Sequence, residues 1–306
     1  MKQSSDKGDS RRHSLPARQL RGSDALVARA AATRNLELRG VLRLAARRRL
    51  ARVADVPAAA AHSPASAQAM PAAAGAPTLL KRVDVADDLL RLEISRPPGF
   101  DYVPGQHVKM GLRGVLRDYS LVSAPHQAYL EFFVELFPGG RLSEHLRTVT
   151  AGTAMALGSR AKGRLAVDER YRNQLLVGTV TGIAPYVSFV RHHLAQGADG
   201  QRRFIILHGA SYAGELGYAE ELTELARQHP ETVVYVATVS RPESPENAGW
   251  GGAHGRVEDH LAGLISRLGL TPDDTAAFAC GNPGMVRNVA QDCRRRGFAT
   301  FTEAFD

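Results

Sequence analysis

A β plus α/β architecture is what the sequence predicts: a six-stranded antiparallel barrel followed by a doubly wound parallel α/β domain. Two patterns carry the expectation. Between residues 76 and 170, short apolar runs alternate with Pro/Gly turns and little helix, as in a small antiparallel barrel. Between residues 171 and 306, strand and helix patterns alternate four times, as a parallel sheet with crossover helices requires.

The remaining segment, residues 1–75, is rich in Ala, Arg and Ser. It holds 14 Lys and Arg against 5 Asp and Glu, a surplus of +9 in a chain whose net charge is +8. Residues 76–306 carry 25 against 26, so the body has no basic footprint for nucleic acid. Residues 25–55 have the composition of a basic helix, for membrane surface, targeting or interaction. Pro57 to Gly75 is low-complexity Ala/Pro/Ser sequence, which favours a disordered extension instead. No run of about 18 apolar residues appears, so no transmembrane helix is expected. The two cysteines, Cys280 and Cys293, exclude a disulfide framework and a cluster with four thiolates. A reduced, cytoplasmic protein is expected.

In the barrel region the expected strands are Thr78–Val85, Asp88–Ser95, His107–Leu112, Leu116–Ser123, Tyr129–Leu136, Met155–Leu157 and Gly163–Val167, with a short helix from Leu142 to about Arg147. Arg96-Pro97-Pro98-Gly99 and Pro138-Gly139-Gly140 are turn chemistry. In the α/β region the expected strands are Leu175–Gly178, Phe204–Gly209, Thr232–Ser240 and Ala276–Ala279. The helices between and after them are Ile183–Gln196, Ala219–Gln228, Val257–Leu268 and Met285–Arg296.

Three stretches carry chemistry. Arg117, Tyr119 and Ser120 combine a phosphate-clamping guanidinium, a flat aromatic face and a hydroxyl on one strand, with Arg117 and Tyr119 on the same face. Gly178-Thr179-Val180-Thr181-Gly182 joins a strand to a helix. Such a turn lets backbone N–H groups and the helix N-terminus meet an anion. Cys280-Gly281-Asn282-Pro283-Gly284 occupies the same position in the last α/β unit, at the carboxyl end of a strand. His192, His193 and His208 are read as structural, and no metal is expected: His192 and His193 point to different sides of a helix and no carboxylate stands at ligand spacing.

These motifs in this order, with Gly140-Arg141-Leu142-Ser143 between the first and second, resemble the ferredoxin–NADP⁺ reductase family of two-domain flavoenzymes over residues 78–306. The resemblance implies FAD in the barrel domain and NADP(H) or NAD(H) in the α/β domain. It implies that Arg117 meets the FAD diphosphate, Tyr119 packs on the isoalloxazine, and Ser120 with the adjoining Leu121 lines the reactive edge. Gly140, Arg141, Leu142 and Ser143 match the segment that holds the FAD phosphates. Gly178, Thr179, Thr181 and Gly182 match the nicotinamide-nucleotide loop, and Cys280 and Gly281 line the nicotinamide side. Ser240 and Arg241 match the hydroxyl and arginine that meet an adenosine 2′-phosphate. Ser120, Cys280 and Glu303 are the expected catalytic set.

Two departures from the family pattern stand out. Val180 occupies a position that is usually Gly, and a β-branched residue disfavours positive φ. The last residues, Thr302-Glu303-Ala304-Phe305-Asp306, hold Glu303 and Phe305, which match an acidic residue and a flavin-covering aromatic, Phe replacing Tyr or Trp; the alternative is a frayed end. The implied activity is electron transfer between NADP(H) and a small carrier, ferredoxin or flavodoxin. The alternatives are an NADH-dependent reductase feeding a haem protein or oxygenase, and a non-enzymatic flavin- or nucleotide-binding electron-transfer subunit.

Overall fold

The computed structural model describes residues 76–197 and 200–305. The expected basic extension over residues 1–75 lies outside the described residues. No helix among the described residues is long and apolar enough to cross a membrane.

Two three-stranded antiparallel sheets form the first part. One has β1 (Leu79–Ala86), β2 (Leu89–Ser95) and β5 (Tyr129–Glu135) in the order β1-β2-β5. The other has β3 (His107–Leu112), β4 (Val115–Ser120) and β6 (Ala156–Leu157) in the order β4-β3-β6. Single bridges join their edges, Leu121 to Phe132 and Thr78 to Ala154. The six strands thereby close on themselves, and closure leaves no long edge to pair with another chain. Alternation fills the interior: Leu90, Leu92 and Ile94 meet Val134, Phe132 and Leu130 in register, and Val108 and Met110 join them in the core. The short helix α1 (Arg141–Arg147) adds Leu142 and Leu146 to that core.

The expected strand over Gly163–Val167 does not form. Pairing stops after one bridge, His107 to Lys162. Gly163 follows at φ 107°, off the regular strand conformation, and no further pairing follows it.

The second part is a six-stranded parallel sheet. Its strands are β7 (Asn173–Thr179), β8 (Arg203–Ala210), β9 (Val233–Val239), β10 (Ala253–His254), β11 (Thr275–Gly281) and β12 (Ala299–Ala304), ordered β10-β9-β8-β7-β11-β12. Every neighbouring pair is parallel. Helices α2 (Ala184–Ala195) and α3 (Ala219–Gln228) pack on one face; α4 (Val257–Leu268) and α5 (Pro283–Arg295) cover the other. The side-chain period is visible in the core. Leu176, Phe204, Ile206 and Phe278 face the α2 side, whereas Leu175, Val177, Ile205 and Leu207 face the α4 side. The chain end is a full strand, β12, whose Phe301 stacks on Phe278 at 5.0 Å between ring centres.

Barrel and α/β domain are joined by a buried charge network. Glu131 of β5 is 1% exposed. It accepts from Arg191 of α2, from Arg91 of β2 at 2.8 Å and from the Tyr218 hydroxyl at 2.9 Å. Arg191 also forks onto Glu221 of α3 at 2.7 and 2.8 Å. Burial opposes ionisation of Glu131, but Arg191 and then Arg91 more than offset it and hold the carboxyl below its ordinary range. Apolar contacts surround the network. The Phe133 and Tyr218 rings meet edge to face at 5.4 Å, and the Ser188 hydroxyl donates to the Ser123 carbonyl at 2.7 Å.

Removing one partner from such a network strands a buried charge. Arg191→Leu should therefore cost about 3–5 kcal/mol of stability, read as a lower urea midpoint. Tyr218→Phe, which removes one donor to the carboxylate, should cost about 1.5–3 kcal/mol.

Candidate functional site

The strand order of the parallel sheet reverses between β7 and β11, with β8 on one side and β12 on the other. Open α/β sheets bind ligands in the crevice outside the carboxyl ends at such a point. Thr179 ends β7 and Gly281 ends β11. Between β7 and α2 runs a tight 3₁₀ turn, Val180–Ile183.

Close approach dictates the glycines here. A Cβ on Gly182 would lie 2.2 Å from the Cys280 carbonyl oxygen. Gly281 adopts φ 119°, and a Cβ on it would lie 2.6 Å from Thr179 Oγ1. The Thr179 hydroxyl accepts from the Asn282 N–H at 3.1 Å, tying the two strand ends together. Asn282 then caps α5, its side-chain oxygen accepting from Gly284 and Met285. The turn after β7 therefore lies against the end of β11.

Val180 occupies the left-handed region at φ 46°. A β-branched residue ordinarily disfavours that backbone. The turn adopts it nonetheless, at a cost of about 1–3 kcal/mol. Compensation comes from packing on both the α2-side core and the cluster of Ala210, Leu216 and Val239. The Val180 carbonyl also meets Nε2 of the fully buried His208 at 3.3 Å, and His208 Nδ1 meets the Tyr235 hydroxyl at 3.0 Å.

The barrel contributes β3 and β4. In their register Arg117 stands opposite Met110, Tyr119 opposite Val108 and Ser120 opposite His107. Arg117 is exposed, bonds only the Leu116 carbonyl, and has no ion pair among the described residues. Tyr119 is half-buried against the barrel core; burial pushes its phenol up to about 12, with Arg117 opposing, so it stays protonated. Ser120 is buried, with its Oγ close enough to Glu303 to help hold that carboxyl down. An exposed guanidinium, an aromatic face and a buried hydroxyl in sequence fit a ligand with a diphosphate, a ring system and a polar ring edge.

The two halves meet at Glu303. Its carboxylate lies 3.3 Å from His107 Nδ1 on β3, and β12 pairs it with Cys280 on β11. Burial pushes the Glu303 carboxyl above its ordinary range, with His107 and Ser120 working against it. The expected trio of Ser120, Cys280 and Glu303 is thus brought into one junction. His107 belongs to it too and was missed: a lone histidine on a strand gives no local signal. Cys280 is fully buried, and burial and then Glu303 push its thiol well above its ordinary range, so it contributes shape rather than a thiolate. The Phe305 N–H donates to the Gly281 carbonyl at 3.1 Å, and its ring packs on the core that contains Cys280.

Other expected residues divide by depth. The side chains of Leu121 and Leu142 lie in the barrel core, so only their backbone is available to a ligand. Ser143 is buried and its Oγ accepts from the Phe137 N–H at 2.9 Å, closing the loop that holds Gly140; Arg141 is exposed beside it. Thr181 lies within the turn, and the Gly178 backbone leads into it. At the outer edge, Arg241 donates to the Tyr212 hydroxyl and lies 5.3 Å over its ring. The adjoining Ser240 donates its N–H to the Ala210 carbonyl at 2.9 Å. Buried Asn247, also missed, fixes this edge: it accepts from the Ala213 N–H at 2.8 Å and donates to the carbonyls of Ser211 and Arg241 at 3.0 and 2.7 Å.

Residues 78–164 match the family model of an oxidoreductase FAD-binding domain and residues 176–291 that of an oxidoreductase NAD-binding domain. The chain is 33% identical to ferredoxin–NADP reductase A of Sorangium cellulosum (strain So ce56), over 72% of this chain and 83% of that protein. It is 30% identical to the flavodoxin/ferredoxin–NADP reductase of Escherichia coli (strain K12), over 66% of this chain and 83% of that protein. A Neisseria gonorrhoeae ferredoxin NADP⁺ reductase, solved with bound FAD and NADP, superposes with a TM-score of 0.65 at 26% identity, covering 74% of this chain and 97% of that one. The chain belongs to the ferredoxin–NADP reductase family of FAD-dependent oxidoreductases.

His208 supplies a test of the site's electrostatics. Burial pushes its imidazole down to about 4, the bond to Val180 opposing. The folded value lies below the ordinary one, so protonation favours the unfolded chain. The contribution is complete above the ordinary imidazole range and is lost as pH falls toward 4. His208→Gln should shrink the drop in urea midpoint between about pH 7 and about pH 4.5.

Proposed function

We propose that the protein moves electrons between NADP(H), bound in the crevice at the ends of β7 and β11, and a small one-electron carrier, a ferredoxin or flavodoxin, by way of FAD held on β3 and β4. The observation that carries this reading is the junction itself. Ser120 and His107 from the barrel, and Glu303 and Cys280 from the sheet, converge where the two sites abut. FAD supplies the chemistry when bound, exchanging a hydride with the nicotinamide and single electrons with the carrier.

The chain's own residues bind and align. Arg117 would hold the FAD diphosphate with its fork of donors, aided by Arg141 and the backbone of Gly140, Leu142 and Ser143. Tyr119, kept neutral, would offer its face to the isoalloxazine, and Leu121 its backbone. Ser120 would give its hydroxyl to the polar ring edge. Gly178, Thr179, Thr181 and Gly182 would take the nucleotide diphosphate on backbone N–H groups. Cys280 and Gly281 would shape the nicotinamide seat, and Phe305 would cover the ring beside it. Glu303, whose carboxyl is pushed up by burial, would exchange a proton with Ser120 at the flavin edge. Arg241, exposed beside Tyr212, would meet an adenosine 2′-phosphate, with Ser240 next to it. The relatives, a ferredoxin–NADP and a flavodoxin/ferredoxin–NADP reductase, support NADP and a ferredoxin or flavodoxin partner. With only two cysteines for any cluster of its own, the chain delivers electrons outward to that carrier, in a cytoplasmic setting.

Two variants test the halves separately. Tyr119→Ala should lower the flavin content of the purified protein several-fold, measured by absorbance, since a stacked ring is worth about 1 kcal/mol beyond burial. Arg241→Ala should raise the KM for NADPH at least tenfold in ferredoxin-coupled turnover and leave NADH kinetics nearly unchanged. Equal effects on the two nucleotides would sink the 2′-phosphate assignment.

A further inference from the structure

We propose that Tyr235 and His208 form a positioning unit for the turn after β7, holding Val180 in its left-handed conformation through the Val180 carbonyl. The proposal deepens the nucleotide-site reading above and rests on it. His208 sits on β8 opposite Gly178, at the root of the turn. A carbonyl oxygen can only accept, so the contact at 3.3 Å requires the proton on Nε2. A neutral ring then leaves Nδ1 bare, and the Tyr235 hydroxyl at 3.0 Å donates to it. Tyr235 therefore selects the tautomer that grips Val180. A ring charged on both nitrogens would turn a donor toward Tyr235 and dissolve that selection; full burial keeps it neutral.

The grip is needed because of the residue it holds. Among the described residues only Arg113 and Val180 have positive φ without being Gly. Arg113 lies in a tight hairpin beside Gly114, where the β3–β4 turn demands it. Val180 is β-branched, and no hairpin forces it. Without the bond from His208, the turn can relax toward an ordinary backbone and swing its N–H groups off the line that the diphosphate needs. His208 touches no ligand itself; it is a positioning residue.

The test uses full-length protein and two readouts. The first is hydrogen exchange over residues 176–186 without nucleotide. His208→Leu should speed exchange there when Val180 is present, and much less when it is combined with Val180→Gly, since a left-handed turn then needs no clamp. The second is NADP⁺ affinity by calorimetry. His208→Leu should weaken it about five- to tenfold, the worth of one hydrogen bond, and adding Val180→Gly should restore most of that loss. Tyr235→Phe, a milder change should His208→Leu fold poorly, should give the same pattern at smaller amplitude. Two results would overturn the proposal: unchanged exchange over 176–186 in both His208→Leu and Tyr235→Phe, or an equal loss of affinity from His208→Leu with and without Val180→Gly. If the unaltered protein binds no NADP⁺ at all, the nucleotide-site reading fails, whereas the clamp still stands or falls on the exchange data.

Discussion

Everything at the junction depends on a buried carboxylate, Glu131, and the cations that satisfy it. A buried ion is expensive unless its partners are in place, so the network tolerates one docking of the barrel on the sheet and penalises others. Arg191 and Glu221 come from helices of the α/β domain, Arg91 from the barrel, and Tyr218 packs its ring beneath both guanidinium groups at 4.4 and 5.6 Å. Small residues let the halves close around it. A Cβ on Gly217 would run into the Phe133 ring, and one on Gly105 into the Phe189 ring and the Leu165 carbonyl. The consequence is functional: His107 and Glu303, from different domains, are held at 3.3 Å.

A second constraint is crowding at the switch point. Thr179, Gly182, Cys280 and Gly281 are packed so closely that side-chain size decides whether the turn fits. Against that background Val180 is the one residue at odds with its own backbone, and its strain falls where strain is most often found, beside a ligand site. The same turn ties two apolar clusters together, since Val180 packs on the one that includes Trp250 as well as on the α2 side.

Local pattern made most of the fold readable. Ala219–Gln228 and Val257–Leu268 are helices over the residues expected, because their apolar spacing and flanking polar residues agree. The edge strand β12 was not read, because Thr302-Glu303-Ala304 carries no apolar alternation; what makes it a strand is pairing with β11 and the Phe301–Phe278 stack, both non-local. Gly163–Val167 failed for the converse reason: its apolar residues suited a strand, but pairing stops at a glycine off the regular strand conformation. In the candidate site, residues with a chemical signature in short motifs, such as Arg117, Tyr119 and Thr179, stand out in the sequence. His107, Asn247, Glu131 and the role of His208 do not, since each acts through a partner tens of residues away.

The central claim is that this junction lets a nicotinamide nucleotide reduce a flavin held on the barrel. Anaerobic absorbance of the purified protein, recorded before and after stoichiometric NADPH, tests it most directly. The expected result is a flavin spectrum that bleaches on addition and returns when ferredoxin or flavodoxin is supplied as acceptor. A well-folded protein with no flavin bands, or with bands that NADPH leaves unchanged, would contradict it.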